Sequence, residues 1–199
     1  MKRVVDERAI AEFAERQRGV FSKADLQVLL AEPHAAGLVR RIRNLEEGGT
    51  LRRFSRGWYV AESFDLATLS QRIAPRSYVS FGTVLARELL VGPRPDRQLI
   101  AAKVGRTRTY AAFGYEIVHV RIAPHLDFGH TPTGGVEYAD PEKAVLDVLY
   151  FHLRGRPFPF DIYSDIDFGK LDRKRLNRYL DRYRNPKFIA FVRGVLEVQ

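Results

Sequence analysis

The chain has 199 residues, 45% hydrophobic and 29% charged, which is the composition of a globular protein and not of a disordered one. No apolar run reaches the roughly 18 residues a membrane helix needs, the charged opening MKRVVDERAIAEFAERQRG lacks the apolar stretch of a signal peptide, and the absence of cysteine excludes disulfides, thiolate metal sites and a cysteine nucleophile, which fits a cytoplasmic protein. The net charge of +9 points to a polyanionic partner, most often nucleic acid.

That charge is uneven. Residues 1–60 carry 12 lysines and arginines against 8 acids, residues 61–167 carry 12 against 13, and residues 168–199 carry 9 against 3. In chain order, Val5, Ala9, Ile10, Phe13 and Ala14 recur at helical spacing and predict a first helix that Gly19 ends. Ser22 with Asp25 three residues on is the signature of a capping box, opening a short second helix whose inward residues are Leu26, Leu29 and Leu30. Pro33 breaks that pattern. A third helix is expected from about His34 to Glu47, stopped by Gly48-Gly49.

The third helix carries the chemistry. At about 100° per residue, Leu38, Ile42 and Leu45 share one stripe, Arg40, Arg43 and Asn44 lie opposite, and Arg41 is on the flank. Arginine matches the acceptor pair of guanine, and asparagine the donor–acceptor pair of adenine, so this face suits a DNA major groove. The same arginines used only on phosphates would give affinity without sequence choice. Next, Leu51 to Val60 reads as a two-stranded ribbon turning at Ser55-Arg56-Gly57, with Arg52, Arg53 and Arg56 near the turn. A basic hairpin directly after an arginine-faced helix is the order of a winged helix-turn-helix, whose ribbon lies on the backbone or the adjacent minor groove.

Further on, Leu66, Leu69 and Ile73 predict a helix ending before Pro75, and Ser80 is placed to cap a helix to about Leu90 with Val84, Leu85 and Leu89 inward. Gly92-Pro93-Arg94-Pro95 is a break. Strands are expected at Gln98–Val104, Thr109–Phe113 and Tyr115–Ile122, the last with its more apolar face on Val118, Val120 and Ile122. A hairpin follows around Thr131–Gly135. Asp140-Pro141-Glu142 has the order of a helix start, with Asp as N-cap, opening an apolar helix through Phe151 that is expected to be buried. In the tail, Leu176, Tyr179, Leu180 and Tyr183 form an inward stripe. Arg173, Lys174, Arg175, Arg178 and Arg182 form a secondary basic surface, which suits phosphates. A last helix starts at Asn185-Pro186, with Phe188, Ile189, Phe191, Val192 and Leu196 as its apolar residues.

No constellation for catalysis stands out. Asp140, Glu142 and Lys143 lack the two-strand spacing of a nuclease metal site, and Glu142 at a helix start is explained by the dipole. His119, His125, His130 and His152 have no ligand spacing with a third partner. Asp161, Asp165 and Asp167 alternate with Ile162, Tyr163, Ile166 and Phe168, as in a loop packed on a core. There is no phosphate-binding glycine loop and no nucleophile elbow.

Three segments resemble one family in order. Leu45-Glu46-Glu47-Gly48-Gly49-Thr50-Leu51-Arg52-Arg53 with Arg56-Gly57-Trp58-Tyr59-Val60 resembles the N-terminal winged helix of AbiEi-type antitoxins, the transcriptional regulators of bacterial type IV toxin–antitoxin operons. Ile73–Leu85, with Tyr78-Val79-Ser80 at its centre, and Asp140-Pro141-Glu142-Lys143-Ala144-Val145-Leu146-Asp147 resemble later segments of the same family. Arg87-Glu88-Leu89-Leu90 departs from its usual His-Gly-Leu. The resemblance implies an operator-binding autoregulator that represses its own operon and counteracts a nucleotidyltransferase-like toxin.

Taken together, the sequence predicts an α+β protein: a winged helix-turn-helix at 1–61, then an α+β antitoxin-like domain at 62–199 with a small antiparallel sheet and basic C-terminal helices. It is expected to be a DNA-binding regulator with no catalytic residue, cofactor or metal. Its expected partners are double-stranded operator DNA, read by Arg40, Arg41, Arg43, Asn44, Arg52, Arg53 and Arg56, and the toxin, with no membrane and with two copies per operator. The alternative is an antitoxin acting by protein–protein contact without operator binding.

Overall fold

A computed structural model describes residues 2–93 and 97–197 and shows an α+β fold. The chain divides into two compact units, Met1–Ile73 with Tyr110–Glu116, and Ala74–Thr109 with Ile117–Gln199. The break expected after residue 61 falls after Ile73 instead. The helix following the hairpin belongs to the first unit because Arg72 donates to Gln17 Oε1 at 2.9 Å and to the Val20 carbonyl at 2.6 Å, and also pairs with Asp25.

The first unit runs α1 (Lys2–Ala14), β1 (Val20–Ser22), α2 (Lys23–Leu29), α3 (Ala35–Glu47), β2 (Arg52–Ser55), β3 (Trp58–Val60) and α4 (Leu66–Ile73). Its strands form one sheet in the order β1-β3-β2, antiparallel throughout. The capping box forms as expected: Ser22 Oγ accepts from the Asp25 amide at 3.1 Å, and the Asp25 carboxylate accepts from the Ser22 amide at 2.6 Å. Ile10, Phe21, Leu26, Leu38, Ile42, Leu45 and Leu51 make one core beneath the sheet. Two expectations for α1 are corrected. The helix ends at Ala14, five residues before Gly19. Val5 is 65% exposed, and Asp6 takes the inward position beside Ile10. Gly19 is required: its φ is +68°, and a Cβ there would lie 2.1 Å from the Ser63 carbonyl oxygen.

The second unit contributes β4 (Ser77–Val79), α5 (Phe81–Arg87), β5 (Gln98–Val104), most of β7 (Tyr115–Ile122), β8 (His130–Thr133), β9 (Val136–Ala139), α6 (Pro141–His152), α7 (Arg173–Leu180) and α8 (Pro186–Glu197). With β6 (Arg108–Ala112) the sheet has six strands in the order β6-β7-β5-β4-β9-β8. It is mixed, not purely antiparallel, because β4 runs antiparallel to β5 but parallel to β9. In β7, Ile117 and His119 are as buried as Val120 and Ile122, so both faces are covered and neither dominates. Leu89 is 73% exposed, against expectation. Helix α5 stops at Arg87, Leu89 takes a left-handed φ of +56°, and Leu90 turns inward in its place. In α8 the inward residues are Phe188, Val192 and Val195, the last replacing Leu196.

Helix α6 is buried over most of its length, and three charged side chains are buried with it. Lys143 and Asp147, four residues apart, pair directly. Asp147 also accepts from Ser80 Oγ at 2.7 Å and from Tyr78 Oη at 3.1 Å, while Lys143 donates to Tyr183 Oη at 3.2 Å. Ser80, expected to cap α5, has thus turned its hydroxyl to Asp147 and makes no side-chain cap. Asp140 likewise does not cap α6 with its side chain but accepts from Tyr179 Oη at 2.5 Å. Burial pushes the Tyr78 and Tyr183 phenols well above their ordinary value and lowers the Lys143 ammonium, with the Asp147 carboxylate pulling the latter back up. Burial and the Asp140 hydrogen bond raise Tyr179 to about 12.

Removing one partner of such a pair leaves an uncompensated buried charge, at a cost of about 3–5 kcal/mol. Lys143→Ala and Asp147→Ala are each expected to lower stability by that amount in urea unfolding. The double variant K143M/D147L should lose far less than the sum. Strictly additive losses would mean that the two groups do not form a coupled pair.

Candidate nucleic-acid interface

Helix α3 is held by its ends and by one face. His34 stands at the N-cap, and the chain leaves the helix through Gly48 and then Gly49, whose φ of +76° turns it away. Leu38, Ile42 and Leu45 are buried, and Arg40, Arg43 and Asn44 are exposed on the other side, as the periodicity predicts.

Arg41 is the exception. It is 9% exposed and faces inward. Its Nε donates to Asp6 Oδ2 at 2.9 Å, Nη2 pairs with Asp6 Oδ1, and Nη1 donates to the Leu30 carbonyl at 2.5 Å and lies 3.6 Å from Glu32. The fork is used up by α1 and by the end of α2, and the hydrogen bond to Asp6 raises the guanidinium pKa further. Its assignment as a DNA contact is therefore corrected. The signal was present in the spacing: Arg41 is three residues after Leu38 and four before Leu45, which puts it on the apolar side of the helix.

The hairpin places its arginines unequally. Arg53 and Arg56 are exposed, and Gly57, with φ +81°, makes the turn. Arg52 is half-buried with its guanidinium 4.5 Å above the Phe113 ring, within the same unit. Phe113 in turn meets Phe54 edge-on at 6.1 Å. Arg52 thus braces the hairpin and does not line the hollow described next.

Between α3 and the hairpin lies a groove of about 580 Å3. Helix α3 supplies Val39, Ile42, Arg43 and Glu46 to its wall. The hairpin supplies Arg53, Arg56, Gly57 and Tyr59, and α2 supplies its first residue, Lys23. The Lys23 amide donates to the Gly57 carbonyl at 2.9 Å, which ties the start of α2 to the hairpin turn. Arg43 pairs with Glu47 at 3.2 Å, both exposed, a contact worth at most about 1 kcal/mol. Burial raises the Tyr59 phenol, and the neighbouring Arg53 charge partly counters this. Of the expected residues, the groove gathers Arg43, Arg53 and Arg56; Arg40 and Asn44 stay exposed on α3 outside it. Lys23, Val39 and Glu46 were not anticipated. A lysine directly after a capping serine is the one of these with a sequence signal, since the positive end of a helix disfavours a cation there.

In the second unit, Arg173, Lys174, Arg178 and Arg182 are exposed, while Arg175 is half-buried 3.6 Å from Glu142. The Arg182 guanidinium lies 4.2 Å over Phe128. Asp172 caps α7 through the Lys174 and Arg175 amides, which hold its carboxyl below the usual range. The acidic loop is used locally: Asp161 accepts from the Tyr163 and Ser164 amides, and Ile162, Ile166 and Phe168 are buried, but Tyr163 stays half exposed. Among the described residues no three His, Asp or Glu side chains converge as a metal would need, and no helix is long and apolar enough to cross a membrane.

No family model and no curated protein matches this sequence. Among solved structures, the RV2827C protein from Mycobacterium tuberculosis is similar, with a TM-score of 0.63 over 98% of this chain and 77% of that chain at 15% identity. That likeness shows a shared fold.

Arg41 and Arg43 are two residues apart and should behave oppositely. Arg41→Ala leaves the Asp6 carboxylate buried and unpaired and is expected to cost about 3–5 kcal/mol of stability. Arg43→Ala should change stability by no more than about 0.5 kcal/mol. Urea unfolding of the two variants distinguishes them directly.

Proposed function

We propose that the first unit is a winged helix-turn-helix that binds duplex DNA, and that the protein is a transcriptional autoregulator, a repressor of its own operon of the AbiEi-type antitoxin class. The observation that carries this reading is the basic groove. Arg43 on α3 and Arg53 and Arg56 on the hairpin line it together, with Lys23 beside them, while Leu38 and Leu45 of α3 are buried behind.

In this reading α3 enters the major groove, and the sugar–phosphate strand bordering it passes between α3 and the ribbon. Arg43, Arg40 and Asn44 face base edges. Arg53, Arg56 and Lys23 neutralise phosphates and set the register. Three phosphate contacts give a log–log salt slope of about −2.7. The exposed cations of α7 serve as a second anion-binding surface, for operator phosphates or for a nucleotidyltransferase-like toxin or its RNA. Two copies on a repeated operator would place one α3 in each half-site.

The test is a gel shift of the full chain on its own promoter with random duplex as competitor. Arg43→Ala should cost about 1–3 kcal/mol on the promoter and narrow the gap to random duplex. Arg53→Ala and Arg56→Ala should weaken both duplexes alike, and each should reduce the salt slope by about 0.9. Co-purification with a neighbouring toxin together with no retention of the promoter would favour an antitoxin working by protein contact alone.

A further inference from the structure

Val39 is exposed on the outside of α3, at 55% of its surface. Single exposed valines are common, and Val28 is more exposed still. What separates Val39 from the others is its position: it lines the groove one turn before Arg43, with Lys23, Arg53 and Arg56 around the same hollow. A branched apolar side chain there gains nothing from water and is a weaker helix former than alanine or lysine. Its surroundings favour a polyanion. Ala35 and Ala36, four and three residues before it on the helix, are exposed and short, so the turn preceding Val39 puts no long side chain beside it.

A polyanion presenting an apolar group to a helix is narrowly defined. In the major groove of duplex DNA, thymine alone among the four bases projects a methyl group, from C5, and apolar side chains are its usual partners. Double-stranded RNA fits neither requirement, because its major groove is too narrow for a helix and uracil has no methyl. Resting on the DNA-binding reading above, we propose that Val39 is a specificity-determining residue that packs on the C5-methyl of a thymine next to the base read by Arg43. The spacing agrees: Val39 and Arg43 are four residues apart on one face of α3, one turn of helix. One helical turn of about 5.4 Å spans between one and two base steps of about 3.4 Å, so the two side chains reach neighbouring base pairs.

The experiment compares the full wild-type chain with Val39→Ala on two versions of its own promoter duplex, one with thymine and one with every thymine replaced by deoxyuridine, which removes only the C5-methyl groups. Wild type should bind the deoxyuridine duplex about fourfold more weakly for each methyl contacted. Val39→Ala should bind the thymine duplex more weakly than wild type and lose distinctly less on deoxyuridine substitution. Its unfolding midpoint should match wild type, since the side chain is on the surface. Equal binding of wild type to both duplexes would overturn the role of Val39 and leave the DNA-binding reading standing. An equal deoxyuridine loss in wild type and Val39→Ala would overturn it too, because the methyl groups would then be read elsewhere. Failure of wild type to retain either duplex would overturn the DNA-binding reading and this inference together.

Discussion

The buried pair between Arg41 and Asp6 sets how α3 is turned. A helix with Leu38, Ile42 and Leu45 inward could roll by some tens of degrees and still bury most of that stripe. A two-pronged guanidinium–carboxylate contact cannot roll, because both prongs would break together. The third donor, to the Leu30 carbonyl, fixes α3 against the end of α2 as well. The exposed residues of α3 are therefore presented at one angle to the hairpin. The groove between them, with Arg43 on one side and Arg53 and Arg56 on the other, inherits its shape from an ion pair on the far side of the helix. Pairs of this kind contribute more to a unique geometry than to net stability, since desolvating both charges offsets much of the attraction.

The second unit uses the same device in its own core. Helix α6 is apolar on nearly every side, which from sequence says only that it is buried. What the apolar count conceals is that Lys143 and Asp147 go in with it, matched by Tyr78 and Ser80 from the end of β4 and by Tyr183 from beyond α7. A leucine pair would fill that space without specifying which tyrosine or serine must face it. The polar set does specify, because a slipped register would strand a charge. Gly129 belongs to this set: a Cβ there would come within 2.9 Å of the Tyr179 ring and 3.1 Å of Lys143.

Much of the fold was legible because its punctuation is chemical. The Ser22–Asp25 box, the Gly48-Gly49 stop, the Arg56-Gly57 turn and the Asp140-Pro141 start each mark an end through a specific backbone need, and each falls where the sequence puts it. Strands β5 and β7 were legible from length and β-branched content. Strands β1 and β4 were not, since three residues cannot display a period of two. Side-chain roles failed where a polar group had a stronger partner than the local one. Ser80 and Asp140 have the right identity for caps, but each is taken by a long-range partner that no local pattern encodes. Arg41 failed for a different reason: standing on the flank, it was assigned to DNA by its charge, although its spacing put it on the apolar side. At the groove, the arginines were legible and the valine and glutamate were not, because pattern reading assigns function to charge excess and neither residue adds to it.

That omission bears on how the groove could discriminate. A hollow lined only by arginines would hold any phosphate backbone, and affinity for random sequence would rise as fast as affinity for the right one. This groove carries a carboxylate, Glu46, inside it, and a second, Glu47, on the exposed partner of Arg43. Negative charge close to the arginines weakens attraction to phosphate everywhere, at a range set by a Debye length of about 8 Å at physiological salt. On the proposed reading of DNA by α3, a bidentate pair between Arg43 and guanine offsets that weakening, and a contact to phosphate alone does not. Acidic groups beside a reading arginine thus lower binding to every sequence while lowering it least for the correct one, and specificity is that difference.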